Sequence, residues 1–280
     1  MYIQLLIQSF VAASVCLAML FAAYSDMRTR EISDLYWKFI GVIGVAGWVL
    51  IALSEGTFGI PAGLAAIAQI LFLVSVLCET RIDGTVLEIA SVILALIPAA
   101  LPGGTVEYSV PVFFCVLFHV LYSIGIVRGG ADAKALMAIS IAIPVYPELG
   151  FGVFSGNGVL ESLMVPSFSV LFLASVLSVA GCAVYCTVRN HGVFVPGFYC
   201  GYMMPVADVC SSFVWPAEDI VDGKRCRCSI PEEGKNVEIC DRFRSLGLSE
   251  IYVTPMVPFV VPIAFSLIFV LLFGSPMFIL

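Results

Sequence analysis

Long apolar stretches alternate with short polar segments along most of this chain. A helix needs about 20 mainly apolar residues to cross a bilayer, and about 17 suffice for a short crossing. The pattern predicts an all-α polytopic membrane protein with about eight transmembrane helices, with six or seven as alternatives. The sixth stretch is short and the fourth contains Glu88. The eight stretches are residues 3–24, 37–53, 58–78, 85–101, 111–127, 135–146, 163–188 and 258–273.

The segment 189–255 breaks this pattern, because its apolar density falls and its charged residues cluster. Polar and apolar residues alternate over 224–230 and over 236–240, which predicts two short strands joined by a turn. The stretch 194–204 is apolar but interrupted by Pro and Gly, and we expect it at the membrane interface. The sequence thus predicts three parts: a transmembrane bundle over 1–188, a small β-containing cytoplasmic insert over 189–255, and a final transmembrane helix over 256–280.

Composition agrees with a membrane protein and excludes one class of partner. Apolar residues make up 61% of the chain and charged residues 12%, whereas soluble domains have roughly 25% charged residues. The net charge is −7 and no sizeable basic patch occurs, so we expect no nucleic-acid partner. The apolar N-terminus has no basic region before it, and we expect a retained helix rather than a removed signal peptide.

The basic residues indicate how the chain is oriented. All thirteen Lys and Arg residues fall on one set of alternating loops when eight spans are drawn. The other set comprises both termini and the loops 54–57, 102–110 and 147–161, and it contains four glutamates and no basic residue. Cytoplasmic loops are enriched in Lys and Arg. We therefore expect a multi-pass protein of the cell membrane with both termini outside the cytoplasm.

Two aspartates fall at helix ends on the side of the basic loops. Asp26 ends the first span, and Asp132 begins the sixth helix. An acid at the end of an apolar span is costly unless it is hydrated or paired, and two acids that meet there indicate paired-carboxylate chemistry. Each also has an ordinary explanation. Asp132 could serve as an acid at a helix N-terminus, and Asp26 could be an acid of a charged juxtamembrane turn.

Residues around these aspartates are candidates for supporting roles. Gly129 and Gly130 free the backbone from helical geometry and let a helix or a substrate approach closely. We expect Lys134 to be either a topological anchor or a charge partner of Asp132. We expect Asp34 to cap the second helix.

The sequence contains no motif for metal, nucleotide or serine-hydrolase chemistry. Its two histidines form no HExxH motif, and neither a phosphate-binding loop nor a GxSxG motif occurs. Its ten cysteines include no CxxC pair, and the thiols of the insert are expected to stay reduced in the cytoplasm. We expect no metal and no cofactor.

Three segments resemble one family of membrane proteases. The segment from Asp26 to Ile32 resembles the first catalytic motif of archaeal preflagellin and type IV prepilin peptidases. Residues 129–136, GGADAKAL, resemble the GxGD-type second motif of these enzymes, with Ala131 at its third position. Residues 254–259, TPMVPF, resemble the Thr-Pro-x-x-Pro-Phe segment of the larger archaeal members. The resemblance touches the start, the middle and the end of the chain.

The resemblance implies a membrane aspartic endopeptidase that removes short basic leader peptides from pilin or archaellin precursors. The catalytic residues would be Asp26 and Asp132 in the transmembrane bundle, with the active site facing the cytoplasm. The partners would be the precursor proteins and the lipid bilayer. We expect the residues beside Asp132 to line the substrate site, namely Gly129, Gly130, Ala131 and Lys134.

Two functions of other classes remain open from the sequence. A membrane carrier or channel could use Asp26 and Asp132 as ion or proton sites, because acids inside a helical bundle serve that role as well. A noncatalytic membrane assembly factor is the third possibility. The sequence does not specify which precursor is cut, what the insert does or how many copies assemble.

Overall fold

The computed structural model describes residues 2–147, 165–190, 200–227 and 234–276. Contacts divide the chain into two compact units. The first comprises Met1–Ser175 and Pro258–Leu280, and the second comprises Val176–Val257. Both proposed catalytic aspartates belong to the first unit.

Helices account for most of the described chain, and a 3₁₀ turn, Val106–Ser109, precedes the fifth. Five segments are long and apolar enough to cross a membrane: α1, α2, α3, α7, and α5 together with that turn. The chain is therefore a multi-pass membrane protein. α4 and α9 are apolar but shorter, and α6 has 13 residues. The described helices longer than one turn are α1 (Tyr2–Thr29), α2 (Leu35–Ser54), α3 (Ile60–Leu77), α4 (Gly84–Ala100), α5 (Val110–Ser123), α6 (Gly130–Ala142), α7 (Pro166–Arg189), α8 (Asn236–Ser245) and α9 (Val260–Phe273).

Glycines on α2 let three other helices approach it closely. A Cβ on Gly41 would meet a side chain of α3, and a Cβ on Gly47 would meet Val11 of α1. A Cβ on Gly44 would meet the backbone of Ala142 at the end of α6. Small residues commonly mark such contacts in membranes, where helices associate through van der Waals packing. α2 is thus the helix against which α1, α3 and α6 pack.

Hydroxyl groups add hydrogen bonds between helices of the first unit. Ser91 of α4 donates to a backbone carbonyl of α3 over 2.8 Å. Ser140 of α6 donates to Ser167 over 2.8 Å, and Ser169 shares a 2.7 Å hydrogen bond with Ser275. Each hydroxyl is buried, so an internal partner removes the cost of leaving it unpaired in an apolar setting.

The second unit contains the small β insert that the sequence predicts before the last helix. Three strands, β1 (Tyr202–Pro205), β2 (Val214–Pro216) and β5 (Glu250–Pro255), form an antiparallel sheet in the order β1-β5-β2. β3 (Glu218–Val221) and β4 (Lys224–Arg227) form a hairpin. Its turn residues, Asp222 and Gly223, both have positive φ, as a two-residue type I′ turn requires.

The structure corrects one of the two strand predictions in this insert. β4 lies within the predicted strand 224–230, of which 228–230 fall outside the described residues. The predicted strand 236–240 is wrong, because this segment begins α8. Ile239, Cys240 and Phe243 are buried on one face of that helix, and two arginines in its last turn suit the negative end of the helix dipole. The five residues 236–240 are too few to show the repeat of about 3.6 residues that marks a helical face. Most of the predicted interfacial stretch 194–204 also lies outside the described residues.

The packing of α2 against α6 leads to the first testable prediction. Gly44→Ala should destabilise the bundle by about 1–3 kcal/mol, because the new methyl meets backbone that cannot rotate away. Gly63→Ala in α3 is the matched control, since its Cβ would meet nothing within 4 Å. The measurement is thermal unfolding of the purified protein in detergent. Equal unfolding temperatures for the two variants would contradict the close α2–α6 contact.

Candidate functional site

Asp26 lies in the last turns of α1 and is only 9% exposed. Its Oδ2 accepts a hydrogen bond from the backbone N–H of Val260, over 3.3 Å, in the first turn of α9. The N-terminus of a helix carries unpaired N–H groups and a partial positive charge. The Asp26 carboxylate therefore has a partner that stabilises its negative charge inside the bundle.

Asp132 lies in the first turn of α6, where the helix dipole also favours a negative charge. Its side chain folds back over Gly129, the residue that precedes the helix. A Cβ on Gly129 would overlap the Asp132 carboxylate. A glycine at position 129 therefore makes room for the Asp132 carboxylate, whether or not a substrate also occupies this space.

The structure brings the two aspartates together at one end of the bundle. The negative charge of Asp26 acts on the Asp132 carboxyl group, and α1 contacts both α6 and α9. Asp132 precedes the apolar part of α6 and lies outside the candidate membrane-spanning helices. Burial, and then the charge of Asp26, raise the pKa of Asp132 to about 7. Two carboxyl groups in this arrangement favour a state that holds one proton between them.

Lys134 has a partner other than Asp132. Its Nζ donates to both carboxylate oxygens of Asp34, over 2.8 and 2.9 Å. Asp34 stands at the N-cap position of α2, but its side chain makes no capping hydrogen bond. Asp34 therefore occupies the expected cap position, but its carboxylate binds Lys134 and not the helix N-terminus. The ion pair instead ties α2 to the helix that carries Asp132.

Arg30 is a site residue that the sequence reasoning passed over. Its backbone has a φ of 58°, which is unusual for a residue other than glycine. Hydroxyl groups of Ser25 and Thr29 hold this turn by donating to the carbonyl of Glu31, over 2.9 and 3.0 Å. Arg30 interacts electrostatically with Asp26. The sequence contains one signal for this interaction, namely that Arg30 follows Asp26 by four residues. When a helix ends between two residues at this spacing, the cation comes to lie near the aspartate.

The remaining predicted site residues lie beside Asp132. Gly130 is the first residue of α6, and a Cβ on it would lie 3.4 Å from the Tyr122 hydroxyl oxygen. Ala131 is partly buried and packs against the core of the bundle. The expected roles of Gly129, Gly130 and Ala131 in binding a substrate stay predictions.

The fold and the site together define a multi-pass helical membrane protein with two interacting carboxyl groups at one end of its bundle. The sequence matches no model of a known protein family, and no curated protein matches it significantly. The resemblance to membrane aspartic peptidases therefore rests on the motif residues alone.

The interaction between the two carboxyl groups can be measured without any substrate. Carbodiimides modify protonated carboxyl groups. Labelling of Asp132 should therefore be half-maximal near pH 7, and in Asp26→Asn the midpoint should move to lower pH because a neighbouring negative charge is gone. Mass spectrometry of the peptide that contains Asp132 gives the profile. Asp83→Asn, which changes the capping acid of α4, is the control and should leave the midpoint unchanged. An unchanged midpoint in Asp26→Asn would show that the carboxyl groups do not interact.

Proposed function

We propose that this protein is a membrane-embedded aspartic endopeptidase that removes short basic leader peptides from pilin or archaellin precursors. The observation that carries this proposal is the placement of Asp26 and Asp132 at adjoining helix ends, where the charge of Asp26 acts on the Asp132 carboxyl group. The motif resemblance names the reaction and the substrate class. Chemistry by two carboxyl groups needs neither a metal nor a cofactor.

The surroundings of the two aspartates favour different roles in peptide hydrolysis. Burial opposes ionisation of both carboxyl groups, but Asp26 has the positive charge of Arg30 nearby and an N–H donor at Val260, so we assign Asp26 as the ionised base of the pair. Asp132, with its raised pKa, carries the proton and donates a hydrogen bond to the scissile carbonyl oxygen. Asp26 takes a proton from water as the water oxygen attacks the carbonyl carbon. That proton then passes to the leaving amine as the C–N bond breaks.

We further propose the full topology. α4, α9 and the apolar stretch 135–146, which begins in α6 after Asp132, would complete eight spans, with both termini outside the cytoplasm and the aspartate pair facing it. The separation of basic loops from glutamate-containing loops supports this orientation. It places the site where the apolar helix of a precursor leaves the membrane, next to the basic leader.

Acidic residues at this end of the bundle would attract a basic leader. Glu31, Glu79 and Asp83 are exposed there, whereas Asp34 is engaged by Lys134. An exposed ion pair contributes about 1 kcal/mol or less and is screened by salt. Such attraction tunes affinity, and the position of the cut depends on how the peptide fits beside Asp132.

The first functional prediction concerns the carboxyl groups. Asp26→Asn and Asp132→Asn should each abolish precursor cleavage while the protein still inserts and accumulates. Asp34→Asn should reduce cleavage partially, by roughly fivefold, because a half-exposed ion pair contributes about 1 kcal/mol or less. Glu79→Gln is the matched control and should change cleavage only mildly, because it removes one exposed charge that salt screens. The measurement is the fraction of precursor converted over time by purified enzyme.

Purified enzyme in detergent also separates this proposal from a carrier or channel. No ion gradient exists in detergent, so cleavage there must come from the protein's own chemistry. An active Asp26→Asn variant, or ion flux through proteoliposomes without any cleavage, would contradict the peptidase assignment.

The second functional prediction concerns the substrate. Replacing leader lysines by glutamine should weaken cleavage partially, because only exposed charge pairs are lost. Enlarging the residue before the cut to Leu should nearly stop cleavage, because little space remains beside Asp132, where its carboxyl group folds over Gly129. A series of purified precursors gives both rates. If neither change alters the rate, the substrate assignment fails even where both aspartates prove catalytic.

A further inference from the structure

A cavity of about 360 Å³ lies within the first unit, at the end of the bundle opposite the aspartate pair. It is lined by the first half of α1, the last turns of α2 and the end of α6. Asp26 lies at the other end of α1, and Asp132 lies at the other end of α6. The volume is within the range of small-molecule sites, about 300–1,000 Å³. We call it the Gln69 cavity after its most buried polar residue.

Gln69 is a buried polar side chain whose hydrogen-bonding capacity is unused. It lies in the middle of α3, is 1% exposed and lines the cavity. Its Oε1 atom has no hydrogen-bond partner within the described chain. Burying such a group without a partner costs about 1–3 kcal/mol. The side chain therefore fits a ligand that brings a hydroxyl group into the cavity, because a hydroxyl can pair with either end of the amide.

The cavity also has features that attract a cation. Trp48 and Tyr108 line it with their rings perpendicular and their centroids 5.6 Å apart. In a perpendicular pair, neither ring covers both faces of its partner. An uncovered aromatic face attracts ammonium groups. Glu55 and Glu107 line the same cavity, and its described lining contains no Lys or Arg.

The two glutamates differ in what they already bind. Glu55 accepts hydrogen bonds from Gln4 and, over 3.4 Å, from Thr57. The Glu107 carboxylate has no hydrogen bond or ion pair among the described residues, and Glu107 precedes Tyr108 directly in the 3₁₀ turn. The carboxylate available for a new cation is therefore next to an aromatic ring.

We propose that the Gln69 cavity binds an organic ammonium ligand that carries a second hydrogen-bonding group. The ammonium group sits against Trp48, Tyr108 and the Glu107 carboxylate. The second group, such as a hydroxyl, pairs with the side-chain amide of Gln69. The amine comes either as a free small molecule or as the headgroup of an aminophospholipid. This site is independent of the peptidase proposal, because it shares no residue with the aspartate pair.

Two amines that differ by one hydroxyl group test the site. 4-Amino-1-butanol should raise the unfolding temperature of the purified protein saturably, and butylammonium should bind about fivefold more weakly because it lacks the hydroxyl that pairs with the Gln69 amide. Gln69→Leu should keep the stability of the unliganded protein, since an apolar side chain replaces an unpaired amide, and it should abolish the difference between the two amines. Glu107→Gln should weaken both amines by about tenfold, because a charge-assisted contact is lost.

Glu79→Gln is the matched control, because it removes one exposed acid from the opposite end of α3. It should bind both amines like the unmodified protein. Nanodiscs of phosphatidylethanolamine and of phosphatidylglycerol distinguish the sources of the amine. If the ligand is lipid-borne, the ethanolamine lipid alone stabilises the protein and Gln69→Leu loses that effect. If neither amine nor the ethanolamine lipid stabilises the protein saturably, or if Gln69→Leu and Glu107→Gln respond like Glu79→Gln, the cavity holds only water and the proposal is wrong.

Discussion

Two carboxyl groups must be kept close together at the edge of an apolar bundle, and the ends of three helices meet that constraint. The C-terminal end of α1 brings Asp26, and the N-terminal ends of α6 and α9 bring Asp132 and the Val260 N–H group. Partial positive charge at the two N-termini offsets part of the cost of burying negative charge. The arrangement lasts only while α6 is held in position. Close packing of Gly44 on α6 and the ion pair of Lys134 supply that restraint.

The coarse architecture could be predicted from the sequence because lipid imposes a simple rule on composition. Apolar length located the helices, and the exclusion of Lys and Arg from one set of loops put Asp26 and Asp132 on one side. Structure was needed for contacts between distant segments. The Asp34–Lys134 pair joins residues 100 positions apart, and a capping role for Asp34 was the simpler local expectation. The Val260 N–H group carries no side-chain signal at all.

Local patterns were less informative in the insert. Alternation over 236–240 matches a strand, but Ile239, Cys240 and Phe243 share a helical face that only a longer window reveals. The Asp-Gly pair at 222–223 was a usable hairpin signal between two strands. The cavity around Gln69 could not be foreseen, because a single polar residue in an apolar span does not indicate which helices surround it. The function of a side-chain amide inside a membrane helix can therefore be inferred only when the neighbouring helices are known.

We propose that Asp26 and Asp132 act together on one peptide bond. The most direct measurement is a cryo-electron microscopy structure with a precursor peptide whose scissile bond is replaced by a hydroxyethylene group. This group places a hydroxyl where the attacking water would stand. We predict that the hydroxyl oxygen lies between the two carboxyl groups and within hydrogen-bond distance of both, about 2.5–3.0 Å. A peptide bound elsewhere, or a hydroxyl that contacts only one of the two aspartates, would contradict the account.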